Sequence, residues 1–360
     1  MKASKKLAPF ASFSIYTLLW LVLGFSFLLA LRTGAVHISF HQIITYLLQF
    51  SGLRTSNSAD SINSELFLEI RLPRVLLCAV VGAALAVSGA LMQALFRNPI
   101  VEPGLVGTSS GAALGAATIF VLGTQFKFLM NTLIGSFILP LAAFCGGLAA
   151  TLVVYKLSAI RGRVTVATMI LIGVAMNALA AGGTGFLSLI ARDPQARSIT
   201  FWSLGTFSGA DWSSFYIVAT ATGISIFAAL YFAKGLNALL LGEAEAQALG
   251  INTERLKTSI IIINTLMVAI ATSFVGVISF VGLVVPHILR ILRGSDNRYL
   301  IMGSALLGAN LLLMADAVAR TIIAPGEMPI GILTAMVGAP VFIFILIKQA
   351  KSGLGGGFYA

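Results

Sequence analysis

Long apolar runs recur along the chain, and the short segments between them hold nearly all of its charge. Ten runs approach the ~20 residues with which a helix crosses the hydrocarbon core of a bilayer. They fall at roughly 13–31, 75–95, 104–123, 133–155, 165–190, 214–234, 258–276, 278–294, 300–319 and 329–348. Lipid offers the backbone no hydrogen-bond partner, so runs of this length predict helices that bond internally. The seventh and eighth share one near-continuous stretch, interrupted only by Gly276 and the turn-prone Ser279. Within 32–70, the stretch from Ser39 to Phe50 puts Ile43, Ile44, Leu47 and Leu48 on one helical face, which predicts a short helix lying on the membrane surface. The loop 235–257 is helix-forming in composition and punctuated by Gly235, Gly242 and Gly250. The tail Gly353–Gly357 is expected to be flexible.

Composition strengthens this picture. Of the 360 residues, 58% are hydrophobic and 10% charged, with mean hydropathy +0.99. A soluble domain carries about 25% charged residues, so this chain could not cover a globule with polar groups. The net charge of +11 raises the question of nucleic acid. The cations sit between apolar runs and form no basic face, so membrane topology accounts for them and no nucleic-acid partner is expected. With both termini in the cytoplasm, that side gains most of the Lys and Arg residues, including Lys156, Lys234, Arg255, Lys257, Arg293 and Arg298. This is the orientation that the positive-inside tendency favours. Lys2, Lys5 and Lys6 ahead of an apolar run resemble a secretory signal, but no small-x-small cleavage site follows cleanly, and 13–31 reads as a retained first helix. Cys78 and Cys145 lie inside apolar runs and read as packing residues.

Candidate chemistry is sparse. Gly82-x-x-x-Ala86 and Gly111-x-x-x-Gly115 each place two small side chains on one face, and the fifth run adds Gly182 and Gly183. Such faces let helices approach closely or line a wide pathway. No Lys follows a Gly, so the chain has no Gly-Lys-Ser/Thr phosphate loop, and if the chain serves ATP-driven transport the ATPase must be another polypeptide. His287 is the one histidine in an apolar run, which leaves no pair of axial heme ligands, while His37 and His41 lie in the outer loop. No metal site and no permanently bound cofactor are expected. Ion-coupled carriers keep charged relays in mid-membrane. Here Asp316 sits near a membrane end with Arg320 four residues on, which reads as a local pair, although a secondary carrier relaying protons through Asp316 is the alternative of another class.

Several motifs resemble one family. They are Arg71-Leu-Pro-Arg74, the stretch Gly82 to Pro99 with Gly89 inside it, Glu102-Pro-Gly-Leu-Val-Gly107, Gly242-Glu-Ala-Glu-Ala-Gln-Ala-Leu-Gly250, the stretch Phe280 to Arg290, and Met328-Pro-Ile-Gly to Pro340. In this order, over about 66–348, they resemble the FecCD family, the permeases of ABC importers for iron-siderophores, heme and cobalamin. The resemblance implies an all-α polytopic fold of type II importer architecture. It also implies a homodimer around the pathway, two cytoplasmic ATPase subunits that use ATP, an external binding protein and a bacterial inner membrane. By their match to the family, Arg71, Arg74 and Arg320 are expected on the outer face, meeting acidic residues of the binding protein. Leu241, Gly242, Glu243, Glu245, Leu249 and Gly250 match the element that fits a cleft on the ATPase. Pro286 and His287 are expected to shape a broken helix near the pathway. The stretch Arg197 to Gly205 is more like the heme branch, with an iron-siderophore or cobalamin as alternatives.

Overall fold

The structure is a computed structural model describing residues 9–34, 38–50, 61–123, 135–160, 163–324 and 326–351. Lys2, Lys5, Lys6, His37 and the Gly353–Gly357 tail lie outside the described residues.

The chain opens with α1 (Pro9–Arg32) and α2 (Phe40–Phe50). Then α3 (Ser61–Glu65) runs through a π-helical turn at Leu66–Arg71 into α4 (Leu72–Leu95). Pro73 stands in the first turn of α4 and has no N–H to give, so the regular ladder is interrupted there and the turn widens. A 3-10 turn at Pro103–Val106 leads into α5 (Thr108–Leu122), followed by α6 (Gly135–Ser158). Ala159–Ile160 and Arg163–Val164 pair as a minimal antiparallel ribbon. Next come α7 (Val166–Ile190), α8 (Gln195–Ser203) and α9 (Trp212–Leu241), whose start carries a reciprocal capping box between Asp211 and Ser214. The rest is α10 (Glu243–Ala248), α11 (Thr253–Val275), α12 (Val281–Arg293), α13 (Asn297–Ile322) and α14 (Ile330–Lys351).

Among the described residues, eight helices are long and apolar enough to cross a membrane. A helix occupies each of the ten predicted runs, but two are short. The expected run 104–123 yields only the 15 residues of α5, and 278–294 yields only the 13 of α12. At 1.5 Å per residue these reach about 20 Å, against about 30 Å of hydrocarbon. Both are cut at their N-terminal side by left-handed backbone, at Gly107 (φ 88°) before α5 and at Gly276 (φ 75°) and Phe280 (φ 67°) before α12.

The core is built around α4, buried on nearly every side by α9, α11, α12 and α13. Missing side chains make this possible. A Cβ on Gly82 would stand 2.3 Å from the Gly308 carbonyl oxygen of α13, and one on Gly89 would stand 1.8 Å from that of Gly282 in α12. The same device joins α5 to α6, where Gly111 faces Gly146 and Gly115 faces Ala142. Ala112, Ala116, Ala143 and Trp202 form a second, smaller cluster there. Cys78 is buried in the main core, whereas Cys145 is exposed on α6 rather than packed. On α2 the apolar face divides: Ile43 and Tyr46 are buried in the chain, while Ile44 and Leu48 point away from it.

Candidate functional site

At one end of the bundle, α1, the π turn, α4 and the last turns of α13 meet in a cluster of five charges. Asp316, its side chain 2% exposed, lies 2.9 Å from Arg74 Nη2 through Oδ1 and 2.9 Å from Arg320 Nε through Oδ2. Arg74 Nη1 also donates to the half-exposed Glu327, at 2.8 and 3.0 Å. The remaining donors reach backbone: Arg71 Nη1 to Leu31 O at 3.0 Å, Arg320 Nη1 to Thr33 O at 2.9 Å and Nη2 to Ala30 O at 3.1 Å. These are the carbonyls that the end of α1 leaves without helical partners, and the guanidiniums also complement the negative end of that helix dipole. The three arginines expected on the outer face thus lie together at one end of the bundle, engaged within the chain. Arg71, Arg74 and Arg320 are each less than a tenth exposed, turned inward because α1 ends beneath them. The exposed cations in the segment after α7 are Arg192 and Arg197, and nothing in their sequence context marks them for docking.

At the opposite end, Gly242 (φ 136°) terminates α9 and Gly250 (φ 81°) follows α10. Leu241 and Leu249 flank this short helix and stay 67% and 64% exposed. Glu243 anchors it. Its carboxylate lies 2.8 Å from Lys257 Nζ, which also contacts Glu254 at 3.1 Å and donates to Val164 O at 3.2 Å. Glu254 in turn accepts the Val164 N–H at 3.2 Å. Lys257, its side chain 4% exposed, thus clamps α10 and the 159–164 ribbon to the start of α11. A cleft of about 370 Å³ opens beside the clamp, lined in part by Glu243, Gln247 and Glu254. Glu245 is exposed, with its carboxylate folded back over Gly242.

Between the ends, α12 is held by side chains whose reach the sequence does not show. Pro286 cannot donate to the Gly282 carbonyl, and Gln93 Nε2 takes its place at 3.3 Å, while also reaching Leu283 O at 3.2 Å. Arg290 Nη1 donates to Gln93 Oε1 at 2.8 Å. His287 is buried, with its ring edge-on to Phe342 of α14 at 6.3 Å. Glu102 Oε1 accepts the Phe280 N–H at 3.3 Å, capping the start of α12.

The small residues separate by role. Gly82, Ala86, Gly89, Gly111 and Gly115 are helix contacts, and Gly183 meets Leu114. Gly182 and Gly185 have nothing within 4 Å of a built Cβ. They belong to a helix, α7, with only 17% of its most apolar stretch buried, against 78% for the segment containing α4. Its exposed positions include Leu171, Val174, Ala175, Ala178, Gly182, Phe186 and Leu189. Its opposite side is fixed by Gly173 against Leu105 O, by Asn177 Nδ2 to Gly104 O at 3.4 Å, and by the Ser110–Asn177 hydrogen bond. Among the described residues, no group of three His, Cys, Asp or Glu is placed to hold a metal.

Comparison with known proteins bears on these sites. Residues 21–348 match the FecCD transport family. The hemin transport system permease protein HmuU of Yersinia pestis is 41% identical over 308 residues, covering 86% of this chain and 90% of the relative. The vitamin B12 import system permease protein BtuC of Salmonella typhi is 38% identical over 292 residues, covering 81% and 86%. A solved structure described as an inward-facing conformation of a metal-chelate type ABC transporter superposes with a TM-score of 0.80 at 29% identity, covering 95% of this chain and all of the other.

Proposed function

Because the chain belongs to the FecCD transport family and is a non-catalytic, multi-pass permease subunit of an ABC transporter, we propose that it imports an iron-containing chelate, heme foremost. The observation that carries the pathway is α7, a helix of spanning length left almost uncovered by its own chain. An apolar helix face of this extent, interrupted by Ala175, Ala178 and Gly182, suits a second copy of the chain across a wide, sterically undemanding conduit. A planar, largely apolar chelate such as heme fits such walls, and the identity to a hemin permease supports this choice over a siderophore or cobalamin.

In this reading both termini are cytoplasmic, in the inner membrane of a bacterium. The α10 end receives an ATPase subunit on each copy, with Leu241 and Leu249 as apolar contacts and the Lys257 clamp passing displacement from α10 into α11. An external binding protein docks at the arginine end. Since Arg71, Arg74 and Arg320 are engaged internally, they act by shaping that surface and its positive potential, and the exposed Arg192 and Arg197 offer charges for direct contact. Asp316, held between two arginines, is poorly placed as a proton relay, which speaks against the ion-gradient carrier.

The test is uptake into vesicles holding the chain with its ATPase, supplied with binding protein and, separately, heme, a ferric siderophore or cobalamin. ATP-dependent uptake of heme alone is expected. Uptake of another ligand would reassign the cargo, and uptake that ignores ATP and collapses with the ion gradient would overturn the importer reading.

A further inference from the structure

A recess of about 520 Å³ lies at the α10 end of the bundle, where α1, α9, the end of α12 and the start of α13 converge. Its cations are Arg293, which lies over the Tyr299 ring at 5.4 Å, and Arg298, exposed in the first turn of α13. Tyr16 of α1 meets Tyr299 edge-on at 6.1 Å and closes one wall. The recess also contains a carboxylate, Asp296, but its Oδ1 is occupied in capping α13: it accepts the Arg298 N–H at 2.8 Å and Asn237 Nδ2 at 3.2 Å. On α9, Lys234 is exposed one turn beyond the lining residue Leu230. Three cations thus surround the mouth beside two tyrosines, the side chains enriched at a membrane–water border.

The surface deeper in the bundle is apolar on α1, α9 and α13. Starting from the recess, α1 continues to Trp20, α9 to Phe227 and α13 to Met302, which are 60%, 79% and 40% exposed. Trp20 and Phe227 lie four and three residues from the lining residues Tyr16 and Leu230, and Met302 is the deepest lining residue on α13, each in the direction that leads into the hydrocarbon. A polar, positive mouth above an apolar track has the form of a phospholipid, with its phosphate at the border and its chains below. We propose that this recess binds one anionic phospholipid, its phosphate held by Arg293 and Arg298 and its acyl chains laid along Trp20, Phe227 and Met302. Cationic pockets between spanning helices at the cytoplasmic side are suited to such headgroups.

The test is native mass spectrometry of the full chain titrated with phosphatidylglycerol, with phosphatidylcholine, and with inorganic phosphate as a competitor. Retained phosphatidylglycerol is expected to exceed phosphatidylcholine. The increment should fall about five-fold for each of Arg293→Gln and Arg298→Gln, and Arg298→Lys should keep most of it. Arg298 and Lys234 are exposed, so Arg298→Gln with Lys234→Gln gives a variant whose fold does not depend on the altered groups. Equal retention of the two lipids, or variants that bind as the unaltered chain does, would overturn the proposal. So would displacement of phosphatidylglycerol by inorganic phosphate, which would show a free-anion site. The measurement uses neither ATPase nor cargo, so its failure leaves the transport reading standing.

Discussion

Asp316→Asn is the most informative single change at the arginine end. The carboxylate is 2% exposed and lies within 2.9 Å of both Arg74 and Arg320. Neutralising it leaves two buried guanidiniums facing each other. Glu327 cannot compensate, being 41% exposed and bonded only to Arg74. Breaking a buried pair by removing one partner costs about 3–5 kcal/mol. A chain of this size should then lose roughly 6–10 °C of thermal midpoint, at about 2 °C per kcal/mol. Cys78, fully buried beside this end of α4, is the natural reporter. A thiol-reactive dye on the purified chain, in a Cys145→Ser background, reads the opening of the core on heating. Asp316→Glu, which keeps the charge, should recover most of the loss. A midpoint within about 1 °C of the unaltered chain would refute the claim that this triad holds α1, α4 and α13 together. If uptake vanished in a variant of unchanged midpoint, Asp316 would be a relay after all.

Other perturbations follow from the same geometry. Lys257→Met removes the clamp but exposes its carboxylates to water, so stability should change by only about 1 kcal/mol, while uptake per ATP hydrolysed by the assembled transporter should fall about ten-fold. Unchanged coupling would remove α10 from the transmission path. Gly82→Val drives a side chain into the Gly308 backbone and should cost about 3 kcal/mol or more, whereas Gly182→Ala, with open space around it, should leave the melting curve unmoved. Burial raises the Glu102 carboxyl above its ordinary value of 4.5, and the Phe280 N–H only partly offsets this. Folding therefore favours the protonated form, and the stability this contributes is full below pH 4.5 and lost as pH rises through the raised value. Glu102→Gln should flatten that slope in melts taken from about pH 4 to about pH 8, and a slope identical to that of the unaltered chain would count against the assignment.

The long helices were legible because nothing but an apolar run fits lipid on all sides. Runs 104–123 and 278–294 overstated their helices for a related reason. Residues such as Val106 and Ile278 are apolar because they are buried in protein at irregular backbone, and hydropathy cannot tell that burial from contact with lipid. The arginine cluster was legible as chemistry but not as geometry. Arg71-Leu-Pro-Arg74 names the residues, yet only the fold shows that α1 ends beneath them with unsatisfied carbonyls. The Asp316–Arg320 pair was readable from its spacing of four, whereas Arg74 lies 242 positions from Asp316. Lys257 gave a faint signal, a carboxylate three residues before it at the mouth of an apolar run, but its tie to Glu243 and the Val164 carbonyl belongs to tertiary structure. Gln93 gave none: its task is set by a proline almost 200 residues away.

The uneven burial of the helices divides the subunit mechanically. The bundle around α4 is knit by backbone-to-backbone approaches and by buried charge, so it resists deformation as a block. Helix α7 bears chiefly on α5, α6 and the 103–106 turn, through contacts that include Gly173, Gly183 and Asn177. On the pathway proposed above, cargo selection would fall on residues other than those that carry stability. The face of α7 can be redrawn for a ligand of another shape without disturbing the block that carries it, which leaves a transporter of this design free to change its diet while keeping its skeleton.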